Sequence, residues 1–202
     1  FGHHVAMSAD TAPVEATPEI PPAAWKTLAV SALAVLAAFL DTTVLFVAFP
    51  DIVASFASVA PAQLSWVLNG YTIVFAALLV PVGKVADRIG HKRSFLAGSA
   101  IFTVASVMCG LAPSAGLLIV FRLVQAVGAA TLLPSSLALV LRAFPPAKVP
   151  LAVAIWGATG AGAGALGPTL GAALVEVGGW RWVFFINVPI GIFTVVAGRR
   201  PR

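Results

Sequence analysis

A chain of 202 residues that is 60% hydrophobic and only 9% charged, with a mean hydropathy of +1.02, cannot clothe itself like a soluble domain, where about 25% of residues are charged. Its net charge of +5 and pI near 10.2 raise the question of nucleic acid, but no basic helix or aromatic-basic surface accompanies them, and that class is excluded. Uncharged stretches at 52–83, 94–121 and 149–175 leave one class that fits, an all-α polytopic membrane protein.

Residues 1–24 are rich in Ala and Pro, carry Asp10, Glu15 and Glu19, and show no apolar period; they are expected to be a disordered tail on the cytoplasmic side. Met7 is a candidate start, which would make residues 1–6 non-native and His3 and His4 incidental rather than metal ligands. The acidic tail and the length of the first apolar run argue against a cleaved signal peptide. Six membrane-spanning helices are then predicted, at about 26–49, 64–82, 94–111, 115–142, 150–175 and 182–198, since roughly 20 residues suffice for one crossing. Pro50-Asp51 is expected to stop the first. Ala112-Pro113-Ser114-Ala115-Gly116 turns the third into the fourth, and Pro145, Pro146 and Pro150 bracket the fifth helix's approach.

Between the second and third helices lies a charged cluster, Gly83-Lys84-Val85-Ala86-Asp87-Arg88-Ile89-Gly90-His91-Lys92-Arg93, predicted to be a short loop. It dominates the charge asymmetry. Lys26, Lys84, Arg88, Lys92, Arg93, Arg142, Lys148, Arg199, Arg200 and Arg202 fall at one set of helix ends and Arg181 alone at the other. Lys and Arg favour the cytoplasmic side, so both termini are expected inside a multi-pass protein of the cell's inner (cytoplasmic) membrane. Trp25, Trp66, Trp180 and Trp182 lie near predicted segment ends, where an indole can straddle lipid and water.

Two ionisable residues fall inside apolar helices, Asp41 in Leu40-Asp41-Thr42-Thr43 and Arg122 in Phe121-Arg122-Leu123-Val124-Gln125. Such residues are expensive in lipid and mark ion or substrate pathways. At about 1.5 Å per residue, Asp41 sits roughly 13 Å and Arg122 roughly 10 Å from the outer ends of their helices, similar enough in depth to pair. Burial penalises a carboxylate and a neighbouring Arg stabilises it; those opposed effects suit a group that gains and loses a proton. A static pair that fixes helix register is the alternative.

The fifth helix crowds Gly157, Gly160, Gly162, Gly164, Gly167 and Gly171 around Pro168. Gly160/Gly164 and Gly167/Gly171 are GxxxG pairs, which allow close backbone approach, and Pro168 leaves the Gly164 carbonyl without its helical donor, favouring a kink. Tight packing alone is the other reading. The segment lacks the Gly-Lys-Ser/Thr ending of a phosphate loop. Adjacent His3 and His4, the distant His91 and the lone Cys109 make no metal site, and Cys109 reads as packing. No nucleophile–base–acid set is present, so no enzymatic activity and no cofactor are expected.

These motifs together resemble the major facilitator superfamily, specifically its drug:proton antiporters of the 14-helix type. Gly83, Asp87, Arg88, Gly90, Lys92 and Arg93 match the loop motif between helices 2 and 3, with His91 where Arg is more usual. Leu40-Asp41-Thr42-Thr43-Val44, then Val47-Ala48-Phe49-Pro50, is similar to the first-helix motif. Arg122, Gln125 and Gly128 match the fourth-helix motif, with Ala126 in place of Gly, and Gly167-Pro168 and Gly171 match the fifth-helix antiporter motif, with Ala172 in place of Gly. Trp180-Arg181-Trp182 through Asn187-Val188-Pro189-Ile190-Gly191 is similar to the start of that group's sixth helix.

The resemblance covers about residues 26–200 and implies a six-helix N-terminal bundle of two inverted three-helix repeats, 26–111 and 115–198. It implies export of lipophilic, cationic small molecules driven by the proton gradient, across a lipid bilayer. Asp41 would belong to the substrate and proton pathway with Gln125, and Arg122 to proton coupling; Asp87, Arg88 and Arg93 would latch helix ends. Such transporters rock two bundles around a site at their interface, and no second set of helices repeats in this chain, so a C-terminal half is expected outside it. Other readings are a truncated or degenerate non-transporting membrane protein, a half-transporter acting as a dimer, or an exporter of another small molecule.

Overall fold

The computed structural model describes residues 19–199; the expectations for the tail before Glu19, including His3, His4 and Met7, and for Arg200 and Arg202 lie outside them. The described chain is all-helical, and six of its segments are long and apolar enough to cross a membrane. They are α1 (Pro22–Ser55), α2 with α3 (Pro61–Leu64, Trp66–Ile89), α4 (His91–Gly110), α5 (Ala115–Ala143), α6 (Val149–Gly178, after a 3₁₀ turn at Pro146–Lys148), and α7 with α8 (Trp182–Phe185, Asn187–Arg199).

Two predicted boundaries move, for the same reason. α1 runs through Pro50 to Ser55 instead of stopping there. A helical proline forfeits one hydrogen bond, and the turns beyond it recover more: Ile52 is wholly buried in the core, and Ser55 accepts a hydrogen bond from Trp180 Nε1 at 2.9 Å. Trp180 is therefore buried rather than interfacial, whereas Trp25, Trp66 and Trp182 are about half exposed. At its start, α1 takes in Pro22–Ala24 from the predicted tail; Pro22 fits the first turn, where its missing N–H has no intrahelical acceptor, and Ala24 packs with Leu28, Val140 and Phe144.

The charged loop is not a loop. Gly83, Lys84, Asp87 and Arg88 belong to the last turns of α3, and His91, Lys92 and Arg93 to the first turn of α4, with Gly90 alone between them at φ +97°. α3 has 24 residues, about 36 Å against a hydrocarbon core of about 30 Å, so its charged end extends beyond the apolar layer while remaining helical. Gly90 turns the chain because L side chains rarely adopt its backbone conformation.

The helices pack reciprocally. α1 lies along α6, while α5 lies along α3; α4 packs on α5 and on α8, and α1 also meets α5 and α8. The first span of each three-helix set thus lies against the second span of the other set, as two related halves would pack. Glycines set the closest approaches. A Cβ on Gly128 would stand 2.5 Å from the Phe102 amide nitrogen, and one on Gly98 2.8 Å from that of Leu132, so α4 and α5 cross backbone to backbone.

On α6 the packing stripe differs from the GxxxG reading. Gly160 lies against Phe39, Gly167 against Thr43 and Gly171 against Val44, while Gly164 faces open space. The stripe is Gly160–Ala163–Gly167–Gly171, a spacing that keeps one helix face on α1; Ala163 is fully buried and its carbonyl accepts from Thr43 Oγ1 at 3.4 Å. Helical geometry continues through Pro168. The outward faces of α3 and α6 remain apolar and exposed, with Ile73, Val80, Leu166 and Val177 among them, as a surface for lipid or another bundle requires.

Candidate functional site

Four crossings bring the polar residues of the interior together. α1 supplies Asp41, α4 Ser106, α5 Arg122 and Gln125, and α8 Asn187, all of them buried. Arg122 donates from Nη1 to Asp41 Oδ2 at 2.5 Å and to Gln125 Oε1 at 2.7 Å, and from Nε to the Val67 carbonyl at 3.2 Å. Gln125 Nε2 donates to Asp41 Oδ1 at 2.8 Å and to Ser106 Oγ at 2.7 Å. Asn187 Nδ2 completes the ring, donating to the same Asp41 oxygen at 2.8 Å and to Ser106 Oγ at 3.2 Å. The expected Asp41–Arg122 pair is present, and Gln125 is its bridge.

The pair is sealed. The Arg122 guanidinium carbon lies 4.0 Å above the Tyr71 ring centroid and 5.8 Å from that of Phe184, a cation–π environment that partly replaces hydration. Cys109 approaches as well, donating from Sγ to Gln125 Oε1 at 3.6 Å, so its thiol does more than fill space. A buried ion pair persists only when its remaining hydrogen-bonding capacity is met. Here Asp41 receives three donors. One atom of the ring is left over: Asn187 Oδ1 is buried with no hydrogen-bond partner among the described residues.

The other predicted sites lie elsewhere. At the Lys/Arg-rich end, Asp87 pairs across Gly90 with His91, Oδ1 to Nε2 at 3.4 Å, with Asp87 largely exposed. His91, the departure from the usual Arg, is thus the partner of the acid. Arg88, Lys92 and Arg93 are exposed at the same end. The α6 glycines lie on α1 along the helix that carries Asp41, and contribute packing without polar contact to the network.

Sequence reading missed Tyr71, Ser106, Cys109 and Asn187 as members of the site. A signal existed for one: Ser99, Thr103 and Ser106 fall at i, i+4 and i+7, a single polar stripe on an apolar helix. Asn187 stood in the sixth-helix motif and within the predicted span 182–198, but nothing in its spacing tied it to Asp41, 146 residues away.

Comparison with known proteins agrees with this architecture. The family model described as Major Facilitator Superfamily matches residues 31–201. The Tetracenomycin C resistance and export protein of Streptomyces glaucescens is 41% identical over 175 residues, covering 86% of this chain and 32% of that protein. The multidrug efflux pump LfrA of Mycolicibacterium smegmatis is 42% identical over 191 residues, 93% of this chain and 38% of that one. The chain thus spans about a third of the length of these curated relatives. A solved bacterial homologue of the human lysosomal transporter Spinster, in an inward-facing and occupied conformation, superposes with a TM-score of 0.70 at 24% identity, over 85% of this chain and 42% of that one; it shares the fold. With a family match across residues 31–201 and six apolar spans, this multi-pass membrane chain belongs to the major facilitator superfamily.

Proposed function

We propose that this chain forms the N-terminal bundle of a proton-coupled exporter of lipophilic, mainly cationic compounds, completed by a second helical bundle. The proton gradient supplies the energy and no cofactor takes part. The observation that carries the reading is the sealed Asp41–Arg122–Gln125 network. A carboxylate held by an arginine and two amides at membrane depth is costly to build for stability alone, since well-packed apolar residues serve as well or better. It is useful where protonation must change the packing: neutralising Asp41 would loosen its hold on Arg122, Gln125 and Asn187, and so on α1, α5 and α8 together.

Supporting observations are the resistance and export functions in the names of the relatives and the exposed apolar faces of α3 and α6. By the charge rule, the end bearing Lys26, Lys92 and Arg142 is cytoplasmic. The Asp87–His91 pair at the single-residue Gly90 turn then acts on that side as a latch between helix ends. The experiment is uptake of a cationic dye into inside-out vesicles bearing the full-length protein under an imposed pH gradient. Asp41→Asn should abolish gradient-driven dye movement; transport that persists unchanged in Asp41→Asn rules out the coupling role.

A further inference from the structure

The Asp41 network is not an isolated polar island. One to two turns from it towards the Lys/Arg-rich end lies a void of about 10 Å³, lined by Ala34 and Ala37 of α1, Ser99 and Thr103 of α4, and Gly191 and Thr194 of α8. Each contribution continues a stripe that starts at the network: Asp41 to Ala37 and Ala34, Ser106 to Thr103 and Ser99, Asn187 to Gly191 and Thr194. Residues so spaced share a helix face, so three stripes descend side by side along one seam. Beyond the void the same three helices, with α5, open into a cavity of about 1030 Å³, lined by Ser31, Phe95 and Gly198 and ringed by Lys26, Lys92 and, from α5, Arg142, with no acid among the described lining residues.

The void is about the size of one water; its wall is mostly apolar, with Phe102, Ile190 and Leu132 of α5 in it, and the polar atoms that reach it are hydroxyls. A cavity of roughly 10–15 Å³ accommodates one molecule if two or more polar partners are present. Ser99 Oγ is buried and has no hydrogen-bond partner among the described residues. Thr103 Oγ1 and Thr194 Oγ1 donate back to the Ser99 and Ile190 carbonyls, at 2.7 and 2.8 Å, which leaves their lone pairs as acceptors. At the upper end Ser106 accepts from both Gln125 and Asn187, so its hydroxyl proton is available for donation, and Asn187 Oδ1 is unpartnered. Between void and cavity stands an apolar plug, the buried cluster of Ala34, Phe95 and Leu132.

We propose that the α1–α4–α8 seam is a proton route from Asp41 to the Lys/Arg-rich end, with a water site at Ser99 and Thr194 and an apolar plug at Phe95 and Leu132. It rests on the antiport reading above. The proton leaving the Asp41 carboxyl passes along hydroxyls and water inside this bundle, apart from any path for drug between two bundles.

Two measurements on the full-length protein test it. In the first, Ser99→Cys is exposed to the small cationic thiol reagent methanethiosulfonate ethylammonium, with the unmodified protein as baseline and the buried Ala105→Cys as control. Ser99→Cys should react about tenfold faster than the control, because reaction needs a hydrated thiolate, and faster again with Phe95→Ala. Reaction no faster than at Ala105 in either background overturns the proposal. In the second, drug-driven proton flux in proteoliposomes should fall about tenfold or more in the Ser99→Ala/Thr194→Val pair, as expected for loss of proton-transfer groups, while dye affinity stays unchanged. Undiminished flux overturns the route. If the unmodified protein moves no protons with drug, the antiport reading fails and takes the route with it, and labelling still reports whether the seam is hydrated.

Discussion

Asn187 donates its side-chain amide to Asp41 Oδ1 at 2.8 Å from 146 residues along the chain, and so ties the start of the last helix to the middle of the first. The bond closes a ring in which two amides and one guanidinium hold a single carboxylate. Every member of the ring comes from a helix that another member must also contact. The network therefore reports the packing of α1, α4, α5 and α8 as a unit, and a change in its charge acts on all four.

Asn187→Ala should cost about 1–3 kcal/mol of stability, the penalty for leaving buried partners unsatisfied, and should lower dye transport. Asn187→Asp should be worse, because it sets a second carboxyl against Asp41. Thermal unfolding in detergent and vesicle transport, measured on the same preparations, check both.

Arg122→Ala should destabilise by about 3–5 kcal/mol, since it leaves the Asp41 charge buried without its counterion. Adding Asp41→Asn should recover much of that stability and none of the transport. A double-mutant cycle by thermal or denaturant unfolding measures the coupling; additive effects would contradict the direct ion pair. Arg122→Lys should fail to rescue, because an ammonium cannot reach Asp41, Gln125 and the Val67 carbonyl together.

The α6 glycines should separate cleanly. Gly167→Ala places a methyl on Thr43, and Gly171→Ala one 3.0 Å from the Val44 carbonyl oxygen; overpacking of this kind costs about 1–3 kcal/mol. Gly164→Ala meets nothing within 4 Å and should leave stability unchanged or raise it, by up to about 1 kcal/mol of helix propensity. Melting of the three variants side by side tests the stripe.

Gly90→Ala meets no atom within 4 Å and must still adopt φ +97° with ψ 132°, a sparsely populated conformation that costs about 1–3 kcal/mol. Asp87→Asn breaks only the pair with His91, and an exposed pair is worth about 0–1 kcal/mol. Asp87→Asn should therefore leave stability almost unchanged. Lost transport at preserved stability is the result expected of a latch, and preserved transport would make the pair ornamental.

The sequence by itself determined the class, the six crossings and the two charges within them, because lipid excludes unpaired polar groups and long apolar runs have no other solution. It also singled out Asp41 and Arg122, charges whose presence in apolar helices needs explaining at any packing, and Gln125 through the resemblance of its motif. It misjudged the charged cluster and Pro50 because composition marks where apolar surface ends and says nothing of where a helix ends; α3 and α1 simply run on. What only the tertiary structure decided is the company those charges keep. Ser106, Tyr71, Cys109 and Asn187 are unremarkable by type and lie in separate helices, and which of them meets Asp41 is settled by the Gly98–Gly128 crossing of α4 on α5 and by the fit of Gly191 against Thr103. Those contacts join residues far apart in the chain through backbone approach distances, which hydropathy and spacing within one helix do not encode.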